Sequence, residues 1–91
     1  MDFLELFNAV AKVVKPMDFV PVESKDKLFR ETNIDSLDML MITVYMCELF
    51  GISEEIGKGL KPTNVTEIET FVTQHATKRP ASVQEAVESI S

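Results

Sequence analysis

Apolar residues recur at helical spacing along most of the chain. Phe3, Phe7, Val10 and Val14 follow the i, i+4, i+7 pattern, with Leu6 and Val13 widening the stripe, so residues 2 to 14 predict an amphipathic helix. Asp2 suits its positive end, Lys12 and Lys15 its negative end, and Pro16 stops it. Residues 36 to 50 predict a central helix free of glycine and proline. Its apolar positions, Leu37, Leu40, Met41, Val44, Met46, Leu49 and Phe50, with Ile42 and Tyr45 between them, form so wide a stripe that much of it must be buried or face a partner. Asp35 serves as N-cap, Asp38 supplies a weak form of the capping box, and Gly51 suits the C-cap. Ser53 opens a weaker third helix, with Glu54 and Glu55 in its first turn. Gly57 and Gly59 each cost it about 1 kcal/mol relative to alanine, and Pro62 closes it. Asn64 and Glu67 stand at capping-box spacing before Val65, Ile68, Phe71 and Val72, the core face of a fourth helix running to about Thr77.

Two stretches fall outside this pattern. Residues 16 to 34 contain Pro16 and Pro21 and predict an irregular connection, pinned by Phe19, Val20, Val22, Leu28, Phe29 and Ile34, with a short helical turn around Lys25 to Arg30. After Pro80, Ser82 and Glu85 repeat the capping-box spacing, and Val83, Val87 and Ile90 share a face. A helix this short is marginal unless it docks, and a frayed end is the default. The predicted fold class is therefore all-α: a small four-helix bundle with a long loop between helices one and two, formed by residues 1–79 and followed by an 80–91 tail with an optional extra helix.

Size and charge narrow the function. At 91 residues the chain is small for a deep catalytic cleft, which places carrier, adaptor and inhibitor roles ahead of enzymes. Its net charge of −6 is unevenly spread. No base lies between Arg30 and Lys58, an interval holding Glu31, Asp35, Asp38, Glu48, Glu54 and Glu55; the other nine acids balance the nine bases. Such a field disfavours nucleic acid and anionic membrane and steers towards basic protein surfaces. No apolar run approaches the roughly 20 residues of a membrane span, and no basic segment precedes the first apolar residues as in a secretory signal. Met1 directly before helix one fits a discrete protein. The lone Cys47 forms no intrachain disulfide and fits a reducing cytoplasm. With His75 the single histidine, metal sites of the usual kinds are not expected. Cys47 and Tyr45 read as packing residues.

The segment Asn33-Ile34-Asp35-Ser36-Leu37-Asp38-Met39-Leu40 resembles the Asp-Ser-Leu attachment motif of acyl carrier proteins. The likeness continues through Glu48-Leu49-Phe50-Gly51-Ile52, similar to the end of that family's second helix, and covers roughly residues 2 to 77. A serine in the first turn of a helix suits the chemistry, because free backbone N–H groups and the helix dipole favour a new anion there. The resemblance implies a protein that catalyses nothing itself. Ser36 would carry 4′-phosphopantetheine, added from coenzyme A by a phosphopantetheinyl transferase (holo-carrier synthase), and the arm would hold acyl intermediates as thioesters for fatty-acid, polyketide or related pathways. Asp35, Leu37, Asp38 and Glu48 match positions that meet basic, acyl-transferring partner enzymes, and a monomer is what the family implies. Met46 and Ile68 are expected to line an acyl cleft. Met41 and Cys47 stand where the family is typically acidic. Leu40, Met41 and Val44 thus predict an apolar patch beside Ser36 and an unusual partner set, unless Met41 is buried. Two alternatives remain open: a peptidyl or aminoacyl carrier, less favoured because Asp35 replaces the glycine or histidine common there, and an unmodified helical adaptor.

Overall fold

Every longer helix begins on a residue whose side chain caps it. Asp2 accepts the Leu4 N–H at 3.1 Å, Asn64 that of Glu67 at 2.9 Å, and Ser82 that of Glu85 at 3.1 Å. At Asp35 the box is reciprocal: its Oδ1 accepts from Asp38 N at 2.8 Å, and Asp38 Oδ2 accepts from Asp35 N at 3.2 Å. In a computed structural model describing residues 1–91, these caps open α1 (Phe3–Val14), α2 (Ser36–Phe50), α4 (Val65–His75) and α5 (Val83–Ile90). A single turn, α3 (Glu54–Gly57), and a 3₁₀ turn at Phe29–Glu31 complete an all-helical fold without strands. None of the helices is long and apolar enough to cross a membrane.

The core lies where α1, α2, α4 and α5 meet. Leu6, Phe7 and Val10 of α1, Ile42, Met46 and Phe50 of α2, and Val65, Ile68 and Val72 of α4 are fully or almost fully buried. Burying side chains of this size contributes about 1.5–3 kcal/mol each. The long connection lies across this core, and Phe29 stacks on Phe7 with ring centroids 5.5 Å apart. Asn8, on the flank of α1, clamps the connection: its Nδ2 donates to Val22 O at 3.0 Å, and its Oδ1 accepts from Val22 N at 2.9 Å. Phe29 N also donates to Thr63 O at 2.9 Å, tying the 3₁₀ turn to the segment before α4.

The third helix is one turn long, the short element that its glycines predict. Two details differ from the sequence-based expectation. The fourth stops at His75 rather than Thr77, because the chain there turns to cap α2: Thr77 N donates to Phe50 O at 2.9 Å and Thr77 Oγ1 to Gly51 O at 2.6 Å. The tail is not frayed. Its helix, α5, packs on α1 and α2, with Ala86 fully buried and Val83 and Ile90 against the core. The small Ala86 side chain permits that close approach.

Candidate functional site

The N-terminal turn of α2 presents Ser36 at the surface. The Asp35–Asp38 capping box fixes the backbone of that turn, so the hydroxyl stands on a rigid element. Four exposed apolar residues follow at i, i+3, i+4 and i+7 spacing: Leu37 (68% exposed), Leu40 (59%), Met41 (38%) and Val44 (38%). That spacing places them on one face, with exposed Glu48 one turn beyond Val44. The opposite face holds Ile42, Met46, Leu49 and Phe50 and faces the core. This two-sidedness explains the wide apolar stripe, since the helix is apolar towards both core and solvent. Asp38 differs from its neighbours. It is half-buried and pairs with Lys15 Nζ at 3.6 Å, so the C-cap residue of α1 partly offsets the charge at the start of α2.

A groove of about 600 Å³ opens beside Ser36. One wall is α2, through Ser36, Met39, Leu40 and Thr43; the other comprises Phe29 and Arg30 of the 3₁₀ turn, Gly57 at the end of α3, and Lys58, Leu60 and Lys61 after it. Arg30, Lys58 and Lys61 were not foreseen as site residues. The acidic interval ends at Arg30 and Lys58 in sequence, but the fold returns both flanks to Ser36. Their cationic side chains have no ion-pair partner, since the only ion pairs are Lys15–Asp38 and Lys25–Glu69. The groove thus sets a basic wall opposite Ser36 and Asp35.

Met46 and Ile68, expected to line an acyl cleft, do not. They are 1% and 0% exposed, lie in the closed core, and are absent from the groove lining. Both sit on the core-facing sides of their helices. Cys47 is buried, and burial pushes its thiol pKa up, with the negative charge of Glu54 adding to the effect. A thiol so held stays protonated and shielded and is a poor nucleophile. Tyr45 packs partly against the core, and His75 is exposed, its ring 4.8 Å from that of Phe71. No group of three or more His, Cys, Asp or Glu side chains converges on a point where a metal would sit. No family model, curated protein or solved structure matches this chain.

Proposed function

We propose that this chain is an acyl carrier protein modified on Ser36, with an all-α bundle of the acyl-carrier type. The observation that carries the reading is the coincidence of three features: Ser36 exposed in a capped first turn, the Asp-Ser-Leu motif around it, and a groove beside it with an uncompensated basic wall. These residues fit a phosphopantetheine arm. The phosphodiester would lie at the helix N-terminus, where backbone N–H groups favour an anion, within a groove that Arg30, Lys58 and Lys61 make positive. In loading, Ser36 Oγ gives up its proton and bonds to the pantetheine-side phosphorus of the coenzyme A pyrophosphate, and 3′,5′-ADP leaves. The arm, once attached, supplies a thiol that holds the acyl group as a thioester. The chain itself supplies tethering, which raises the local concentration of cargo at each partner's site, and a recognition surface.

That surface is the outer face of α2. Leu37, Leu40, Met41 and Val44 give an apolar stripe, and Asp35 and Glu48 mark its two ends with negative charge. A partner fitting it carries an apolar cleft rimmed by basic residues. The stripe also favours a second reading, an adaptor that docks through this face and is never modified. Incubation with coenzyme A and a broad-specificity phosphopantetheinyl transferase separates the two. A mass gain equal to one arm, absent in Ser36→Ala, supports the carrier; no gain with several transferases supports the adaptor.

A further inference from the structure

The first turn of α2 is braced from outside the helix. Ser36 lies between two side chains that reach back to the end of α1 and the turn behind it. On one side Asn33 Nδ2 donates to Asp18 O at 2.6 Å. On the other Asp38 Oδ2 pairs with Lys15 Nζ at 3.6 Å. Only Pro16 and Met17 separate the two anchors, Lys15 and Asp18. The ring of Pro16 fixes its φ near about −65°, which stiffens the piece of chain that carries both. The tie at Asp38 runs directly into the cap. The same Oδ2 accepts the Asp35 N–H at 3.2 Å, Asp35 Oδ1 accepts the Asp38 N–H at 2.8 Å, and Asp35 O accepts the Met39 N–H at 2.9 Å. Lys15 therefore holds the oxygen on which the reciprocal cap depends, and Ser36 and Leu37 are the residues that cap spans.

Asp38 is also turned inward. Its side chain is 17% exposed, whereas Asp35 is an exposed residue. A carboxylate so placed, with one oxygen engaged twice, offers little charge to a docking protein. Partial burial also leaves its pair with Lys15 less screened by salt than a free surface pair. We propose that Lys15 is a positioning residue for the modification of Ser36, acting through Asp38 to hold the capped turn in one geometry. Asp38 then works as a fastener within the chain, not as one of the carboxylates that a basic partner reads. A preset hydroxyl matters because its oxygen must meet phosphorus in line with the leaving group, and a small loss of alignment lowers the rate. This inference rests on the carrier reading.

The test compares the full chain as wild type, Lys15→Met, Lys15→Arg, Asp38→Asn and Lys15→Met/Asp38→Asn. Asparagine keeps an oxygen for the Asp35 N–H and removes the charge that Lys15 holds. Circular dichroism first confirms that each variant is folded. Two quantities are then read: exchange of the Asp38 and Met39 amides, and kcat and KM for loading by a transferase at saturating coenzyme A. Exchange at both amides should be about two- to fivefold faster in Lys15→Met and in Asp38→Asn, the scale of a partly exposed ion pair. The kcat should fall by a similar factor with KM unchanged. The double variant should be no slower than the slower single one, and Lys15→Arg should restore wild-type values. A docking role for Asp38 predicts otherwise: Asp38→Asn would raise KM, and Lys15→Met, by freeing the carboxylate, would lower it. A direct action of the Lys15 charge on the phosphate predicts that Asp38→Asn, by releasing the cation, speeds loading. Either pattern, or a Lys15→Met chain with unchanged exchange or unchanged kcat, overturns the positioning role and leaves the carrier reading intact. No loading of wild type by several transferases overturns both together.

Discussion

Replacing Gly51 by alanine should destabilise the fold without disturbing the site. Gly51 closes α2 with φ +64°, the left-handed region, and is the only residue of the chain with positive φ. An L-residue there costs about 1–2 kcal/mol. A Cβ would also collide with Thr77 Oγ1, the group that donates to Gly51 O at 2.6 Å. Loss of that hydrogen bond adds about 0.5–1.5 kcal/mol. The expected loss is therefore about 1.5–3.5 kcal/mol, from a total that is typically about 5–15 kcal/mol for small domains. In a domain of this size each kcal/mol lowers Tm by about 4–8 °C, so the drop should be about 6 °C or more. Urea unfolding followed by circular dichroism measures the first quantity and a thermal scan the second. Thr77→Val, which exchanges the hydroxyl for a methyl and loses the hydrogen bond to Gly51 O, should lose the smaller share. Ser36 lies at the opposite end of the 15-residue α2, about 20 Å away along the helix axis, so loading of the folded variant should proceed at the wild-type rate. A Gly51→Ala protein within about 0.5 kcal/mol of wild type, or one no worse than Thr77→Val, would refute this account of the α2–α4 junction.

Other perturbations probe other parts of the account. Asn8→Ala removes two hydrogen bonds and leaves Val22 N and O without partners. It should cost about 1–3 kcal/mol in urea unfolding and speed amide exchange across residues 16–34; unchanged exchange there would show that the clamp does not hold the connection. Leu40→Ser/Val44→Ser alters exposed positions and should leave stability within about 0.5 kcal/mol while slowing transferase loading at limiting carrier concentration. A normal loading rate would remove the outer face of α2 from recognition by that enzyme. Glu67 accepts from Thr63 N at 2.6 Å and from Thr63 Oγ1 at 2.9 Å, and these bonds hold its carboxyl pKa below the ordinary value. Its contribution is thus present above the ordinary glutamate pKa and lost as pH falls through the lower folded value. Urea midpoints taken down an acid series should fall less steeply in Glu67→Gln than in wild type, and an identical slope would contradict the assignment.

Local chemistry made much of the fold legible in the sequence. The starts of α1, α2, α4 and α5 follow from Asp2, Asp35, Asn64 and Ser82, because a cap and its target lie within three residues of each other. The C-cap at Gly51 is legible for the same reason. What depends on distant contacts was not. Asn8 reads as a solvent-facing residue of an amphipathic helix until the loop arrives to use both ends of its amide. The docking of α5 depends on a small residue, Ala86, finding a close seat on α1, and no periodicity in eight residues reveals the partner face. The resemblance implies a cleft lined by Met46, and only the packing shows that its side of α2 is core. The basic wall is not legible along the chain, where Arg30 and Lys58 merely bound an acidic interval. In space the two flanks face the same groove as Ser36.

The central claim is that Ser36 accepts a phosphopantetheine arm. Its most direct test is the intact mass of the full chain after incubation with coenzyme A and a transferase, followed by peptide mapping, for wild type, Ser36→Ala and a control such as Ser53→Ala. The account predicts one arm on wild type and on the control, mapped to the peptide containing Ser36, and none on Ser36→Ala. No gain on wild type with several transferases, or a gain that survives Ser36→Ala, would contradict it.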